Sequence, residues 1–176
     1  AAAPAFTGLL NETYGSGAEA AYSTRRLNGN VTDCMVIRRA SDSTTTTIGF
    51  DGSGNISEAD IISFCTGTTC TVQTWKDQSG NSRDITTTGT EPIIYTGGAI
   101  VRNEGRAAIN FAAPYSALKY TGQDLDLSAI TATVIGRETN QFGSQSFAVA
   151  MQSNNNDGFR THLQGAGARN RTTATN

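Results

Sequence analysis

The sequence predicts an all-β, two-sheet sandwich carrying one or two short helices, and three observations predict it. Thr, Ser, Asn and Gly dominate, Gly numbers 19 against 3 Pro, and only 16% of residues are charged. Low charge with abundant Thr and Gly suits short strands joined by tight turns, not amphipathic helices with charged outer faces. At 176 residues the chain is read as a single module over 1–176 around one core. A net charge of -2 supplies no field for nucleic acid or an anionic membrane surface. No segment approaches the ~18 consecutive apolar residues of a membrane span. The opening Ala1-Ala2-Ala3-Pro4-Ala5 reads as the small-residue remnant left by processing.

Taken in order, Ala18 to Leu27 reads as a short helix with Ala21, Tyr22 and Arg25 near one face. Met35 to Arg39 reads as a strand, followed by a polar loop through Ser41-Asp42-Ser43 and four threonines. Ile48-Gly49-Phe50 returns to apolar character before the turn Asp51-Gly52-Ser53-Gly54-Asn55. A clearer helix signal follows: Ser57 is placed to cap, Asp60 sits three residues on, and Ile61, Ile62 and Phe64 supply the apolar face. Val72 to Trp75 is β-prone and stops at the dense turn signal Asp77-Gln78-Ser79-Gly80-Asn81. Short runs at sandwich spacing come next, in Pro92 to Tyr95, Ile100-Val101 and Ala108 to Phe111. Ile130 to Ile135 and the face Phe147, Val149, Met151 continue the pattern. From Gln152 the chain turns Asn-rich and ends without a closing strand, so the sandwich reads as unfinished at the carboxyl end.

Cys65 and Cys70 bracket the polar loop Thr66-Gly67-Thr68-Thr69, which can bring the two sulfurs together. A disulfide closing so short a loop contributes about 2 kcal/mol in the loop-entropy account. Zinc is the weaker alternative, because it needs further Cys or His ligands and the only histidine is the distant His162. Disulfide use places the chain in an oxidising compartment, and Cys34 is left as a buried free thiol. Sequons at Asn11, Asn30, Asn55 and Asn170 matter only in a glycosylating host.

The candidate ligand-binding residues are Trp75, Asp77, Gln78 and Asn81. Trp75 offers a flat ring for a sugar face, although the single tryptophan of a small β domain is more often core. Asp77 offers a carboxylate to a sugar hydroxyl or a calcium ion, against the commoner role of accepting backbone N–H groups to fix a turn. Asp51 to Asn55 is too short for an EF-hand loop, and Asp124 and Asp126 have no visible partner for a metal. Arg38 and Arg39 alternate across a strand, so that one of them can pair with Asp42 or Glu58. His162 has no Gly-x-Ser-x-Gly elbow to serve. No cofactor, metal or nucleic-acid partner is expected from these patterns.

Four pieces in sequence order carry a resemblance. They are Ala21 to Leu27; Arg38-Arg39-Ala40-Ser41-Asp42 with Thr44 to Ile48; Phe64 to Cys70; and Trp75-Lys76-Asp77-Gln78-Ser79-Gly80-Asn81. Together they resemble the front half of the catalytic domain of the α-L-arabinofuranosidase B family, which implies a two-sheet, concanavalin-like jelly roll. The likeness is clear from about Leu9 to Asp84 and thins to general sandwich character through Ile135. It also implies that the Cys-x4-Cys pair is a disulfide, in agreement with the independent reading of Cys65 and Cys70. The family's two reacting carboxylates come from segments resembling His-Met-Glu and Gly-Gly-Asp-Asn, and neither segment is found here. After Asp126 the only acidic residues are Glu138 and Asp157, which read as a solvated strand-end residue and a turn aspartate. No catalytic residue is therefore assigned.

The leading expectation is a noncatalytic structural or glycan-recognition module of an extracellular or virion-surface assembly, of decoration or fibre type. Its partners would be other protein subunits and, for a recognition module, a glycan. The alternative is an α-L-arabinofuranosidase-type glycoside hydrolase whose catalytic half lies beyond this chain.

Overall fold

The computed structural model describes residues 18–111 and 116–122, together with the backbone of strands at 147–152, 158–162 and 171–175. The chain divides into two compact units, Ala1–Gly122 and Gln123–Asn176. The class is all-β, with antiparallel strands and, among the described residues, a single short helix. No helix among the described residues is long and apolar enough to cross a membrane.

In the first unit, β1 (Asp33–Arg39) lies between β2 (Thr45–Gly49) and β3 (Cys70–Trp75), and all three are antiparallel. The second edge of β3 is shared between two strands. Cys70 and Thr71 pair with β5 (Ile93–Thr96), while Thr74 and Trp75 pair with β4 (Ile85–Gly89). The short β6 (Ala99–Ile100) extends β5, and β9 (Ser116–Lys119) extends β4. A separate two-residue hairpin joins β7 (Arg102–Asn103) to β8 (Arg106–Ala107).

Side-chain alternation explains which face is buried. Met35 and Ile37 on β1, Ile48 on β2 and Val72 on β3 are buried together. A register shift between Val36 and Ile37 leaves Gln73 as an extra residue in β3, so Trp75 pairs with Met35 and joins the core side. Ile56, Ile61, Ile94 and Ile100 complete the cluster, and each such burial stabilises by roughly 1.5–3 kcal/mol. Gly49 is required by a close approach. A Cβ placed there would meet the Thr32 carbonyl oxygen at 2.8 Å.

The helix α1 (Glu58–Cys65) forms as its cap predicts: the Ser57 hydroxyl accepts from the Asp60 N–H at 3.4 Å, and Glu58 and Asp60 occupy the first turn. Ile61 and Cys65 face the core, and Ile62 is 47% exposed. The Cys65–Cys70 disulfide is formed, with Cα atoms 5.9 Å apart, and it ties the end of α1 to the start of β3. Gly67 sits at φ +78 within that loop, where a side chain would be strained.

Several sequence expectations are corrected. Ala18 to Leu27 is not helical; its backbone is drawn out by distant partners, with Arg26 N–H bonding Gly54 C=O and Thr24 C=O accepting from Ile56 N–H. Thr45 to Thr47 belong to β2 rather than a loop, because β1 offers them a pairing edge. Ala108 to Phe111 makes only an isolated bridge, Ile93 to Asn110. The ending does carry a strand: β12 (Arg171–Thr175) pairs with β11 (Gly158–His162), which pairs with β10 (Phe147–Gln152). The segment Ile130 to Ile135 lies outside the described residues.

Candidate functional site

The Asp77–Asn81 turn and the extended 18–27 segment meet over the end of β3, and the four sequence-predicted ligand residues come together there. Gln78 is fully buried. Its Oε1 accepts from the Leu27 N–H at 2.7 Å, and its Nε2 donates to the carbonyls of Ser23 (2.9 Å) and Arg25 (3.2 Å). Asp77 is 7% exposed. Its Oδ1 accepts from the N–H groups of Ala21 and Ser79, each at 2.9 Å. Its Oδ2 accepts from the Ser79 hydroxyl at 2.6 Å and the Arg83 N–H at 3.0 Å. Asn81 Nδ2 donates to the carbonyls of Ala18 (3.0 Å) and Glu19 (3.1 Å).

Trp75 packs against the core, 6.0 Å from the Tyr22 ring at a 49° tilt, and its indole N–H points at the Ser23 carbonyl at 3.5 Å. That carbonyl also receives the Cys34 thiol at 3.4 Å. Trp75, Asp77, Gln78 and Asn81 thus all bond or pack against the 18–27 segment. Gln78 presents no surface to a sugar, and both oxygens of Asp77 are occupied by the chain itself.

The surrounding charges are also committed. Asp84 accepts from the Asp77 N–H at 2.9 Å and pairs with Lys76 at 2.6 Å. Arg83 pairs with Glu19, Arg38 with Glu91 at 2.7 Å, and Arg102 with Glu58. Arg39 takes Asp42, as the alternation of the two arginines allowed. Hydrogen bonds from Arg39, then from the Thr44 N–H, hold the Asp42 carboxyl well below the usual carboxylate range. No group of three or more His, Cys, Asp or Glu among the described residues is arranged to hold a metal. Asp124, Asp126, Glu138 and Asp157 lie outside the described residues, and His162 is described only as part of the β11 backbone.

Two weak acids, the buried Cys34 and the half-buried Tyr22, carry a pH consequence. Burial pushes the Cys34 thiol far up from its ordinary value of 9.0. Burial, then the carboxylates of Asp77 and Asp84, then Tyr120, push the Tyr22 phenol up from 10.0. Both groups keep their protons in the folded chain while the unfolded chain releases them, so stability falls as pH rises past about 9. The expected slope from Cys34 is up to about 1.4 kcal/mol per pH unit. Urea unfolding between pH 8 and 10.5 should show this slope, and Cys34→Ala should flatten its first part. An unchanged slope in the variant would exclude Cys34 as its source.

A second feature was missed by sequence reasoning. The Arg39 guanidinium lies 5.2 Å from the centroid of the Phe64 ring. Around this pair, Thr46, Thr47 and Ile48 from β2 and Asp60 and Ser63 from α1 line an open groove of about 410 Å³. The only forewarning in the sequence is the i,i+3 spacing of Asp60 and Ser63, which places both on one helix face.

Comparison with known proteins bears on most of the first unit. The family model described as the alpha-L-arabinofuranosidase B catalytic domain matches residues 11–113. A solved GH54 α-L-arabinofuranosidase soaked with a cyclic sulfate inhibitor is 31% identical over 43% of this chain and 19% of its own, at a TM-score of 0.39. A solved arabinofuranosidase complexed with arabinofuranosyl-alpha-1,2-xylobiose is 39% identical over 39% of this chain and 15% of its own, at a TM-score of 0.35. The matched region thus spans less than a fifth of either relative's length. No curated protein sequence matches. Since the family model takes in residues 11–113 of 176, including the disulfide loop and the Asp77–Asn81 turn, the chain belongs to the alpha-L-arabinofuranosidase B catalytic family.

Proposed function

We propose that this chain carries a scaffold portion of an α-L-arabinofuranosidase-type glycoside hydrolase, and that the reacting carboxylates stand outside residues 11–113. The family match over those residues is the observation that carries the reading. The geometry of the first unit supports the division of labour. A retaining glycosidase needs two carboxyl groups about 5 Å apart and free to meet a sugar. Asp77 is instead enclosed by four hydrogen bonds, and Asp84, Asp42, Glu19, Glu58 and Glu91 are each ion-paired. What these residues supply is a rigid, stapled wall. The disulfide favours an extracellular setting for it.

The test assays 4-nitrophenyl α-L-arabinofuranoside with the 176-residue chain and with the polypeptide isolated from its natural source. The chain alone is expected to release no nitrophenol, while a longer source polypeptide hydrolyses the substrate. Turnover by the chain alone that survives Asp124→Asn, Asp126→Asn, Glu138→Gln and Asp157→Asn would overturn the placement of the carboxylates, because no acidic side chain beyond residue 113 would then remain. A source polypeptide of the same 176 residues without turnover would overturn the enzyme reading, in favour of a noncatalytic surface module.

A further inference from the structure

We propose that the groove between α1 and β2 is an auxiliary glycan-holding site, taking a neutral polysaccharide chain that bears arabinofuranosyl groups. The arabinofuranosyl identity rests on the function proposed above; the polyol chemistry rests on the groove. Its volume, about 410 Å³, falls within the roughly 300–1,000 Å³ of small-molecule sites. The open form leaves room for a chain to run along the groove and not only for a free monosaccharide.

The lining is of the kind a sugar requires. Asp60 supplies an acceptor, and the hydroxyls of Thr46 and Ser63 both donate and accept. Phe64, half-buried, supplies apolar surface for the C–H face of a ring. Arg39 supplies donors, and it is already oriented. Its Nε and one terminal nitrogen bond Asp42, and its plane lies over Phe64. The other terminal nitrogen falls outside that pair, and little side-chain entropy remains to be lost when a ligand arrives. The positive Arg39 is offset by Asp42 and Asp60, so the groove carries no net positive charge for an anion. A neutral polyol fits this balance better than a phosphate or an acidic peptide. The groove is also built from elements other than the Gln78 network, so altering it leaves the clamp on the 18–27 segment in place.

Affinity electrophoresis of the 176-residue chain through gels containing arabinoxylan, or dextran as the control polyol, tests the assignment. Retardation by arabinoxylan is expected, weakened at least about five-fold in Asp60→Ala and in Ser63→Leu. Both side chains are exposed, so the thermal midpoints of these variants should stay near the parent's. Amide chemical shifts confined to Thr46–Ile48 and Asp60–Phe64 on adding arabinoxylan would give the same answer without any substitution. A parent chain unretarded by arabinoxylan overturns the proposal. So does undiminished retardation in both variants, and equal retardation in dextran overturns the arabinofuranosyl assignment. Retention through this groove by a protein whose source polypeptide shows no hydrolysis would sink the enzyme reading alone. Hydrolysis with unaltered variants would sink the groove alone.

Discussion

Gln78→Leu is expected to lower the free energy of unfolding by about 3 kcal/mol, the sum of two stranded backbone groups at roughly 1–3 kcal/mol each. Leucine fills similar space, so the loss is one of hydrogen bonding rather than of packing. The Leu27 N–H and the Arg25 carbonyl lose the side-chain partner they have in a fully buried position, while the Ser23 carbonyl keeps the Trp75 indole and the Cys34 thiol. Gln78→Glu should be worse at neutral pH, because a carboxylate oxygen would replace the donor that faces two carbonyl oxygens. Here the sign is opposite to that of a salt-bridged acid. The introduced carboxyl would titrate above its unfolded value of about 4.3, so the penalty is absent below that pH and grows as pH rises toward the folded value. Urea titrations of both variants from pH 3.5 to 8 measure this directly. A Gln78→Leu midpoint indistinguishable from the parent would show that the buried amide contributes nothing to stability.

Removing the disulfide is expected to have the next largest effect. Cys65 and Cys70 are five positions apart and both fully buried. Loop closure over so short a segment contributes about 2 kcal/mol. For a domain of this size, that corresponds to a fall in thermal midpoint of roughly 4–8 °C. The double variant Cys65→Ala/Cys70→Ala should show this fall by circular dichroism, and its midpoint should be indifferent to reductant. The parent should lose a similar amount on reduction and gain the mass of two hydrogens. A parent midpoint unmoved by complete reduction would mean that α1 and β3 hold together without the bond.

Much of the first unit was legible because its determinants are local. Ser57 and Asp60 sit within one helical turn, the two cysteines within one loop, and Asp77 bonds residues two and six positions ahead. The alternation of Met35 and Ile37 likewise marks a half-buried strand without reference to its neighbours. What could not be read depends on partners far along the chain. Ala18 to Leu27 has helix-compatible residues, yet its conformation is set by Asp77, Gln78 and Gly54. Threonines suit loops and strands alike, so Thr45 to Thr47 needed β1 beside them to decide. Ile85 to Gly89 was overlooked for the same reason: three threonines and a glycine give little periodicity, and the strand exists because β3 and β9 flank it. A ligand role for Trp75, Asp77, Gln78 and Asn81 is read from residue type, whereas the groups they contact within the chain follow from which backbone the fold brings against them. The groove at Arg39 and Phe64 is formed across two elements, and no linear motif announces it.

The Ser23 carbonyl, where an amide, an indole and a thiol converge, implies an order of assembly. Its three donors belong to Gln78, Trp75 and Cys34, up to 55 positions away in sequence. A contact of that span forms against a large loop-closure entropy, and it becomes favourable only once the groups at its far end are already positioned. The sheet of β1 and β3 with its turn must therefore condense first, and the amino-terminal segment docks onto it afterwards. During synthesis the ribosome releases residues 18–27 well before their binding site exists. The segment has to wait for its clamp until Gln78 has emerged and folded. In refolding experiments it should be the last piece of the first unit to gain protection from hydrogen exchange, and the first to lose it.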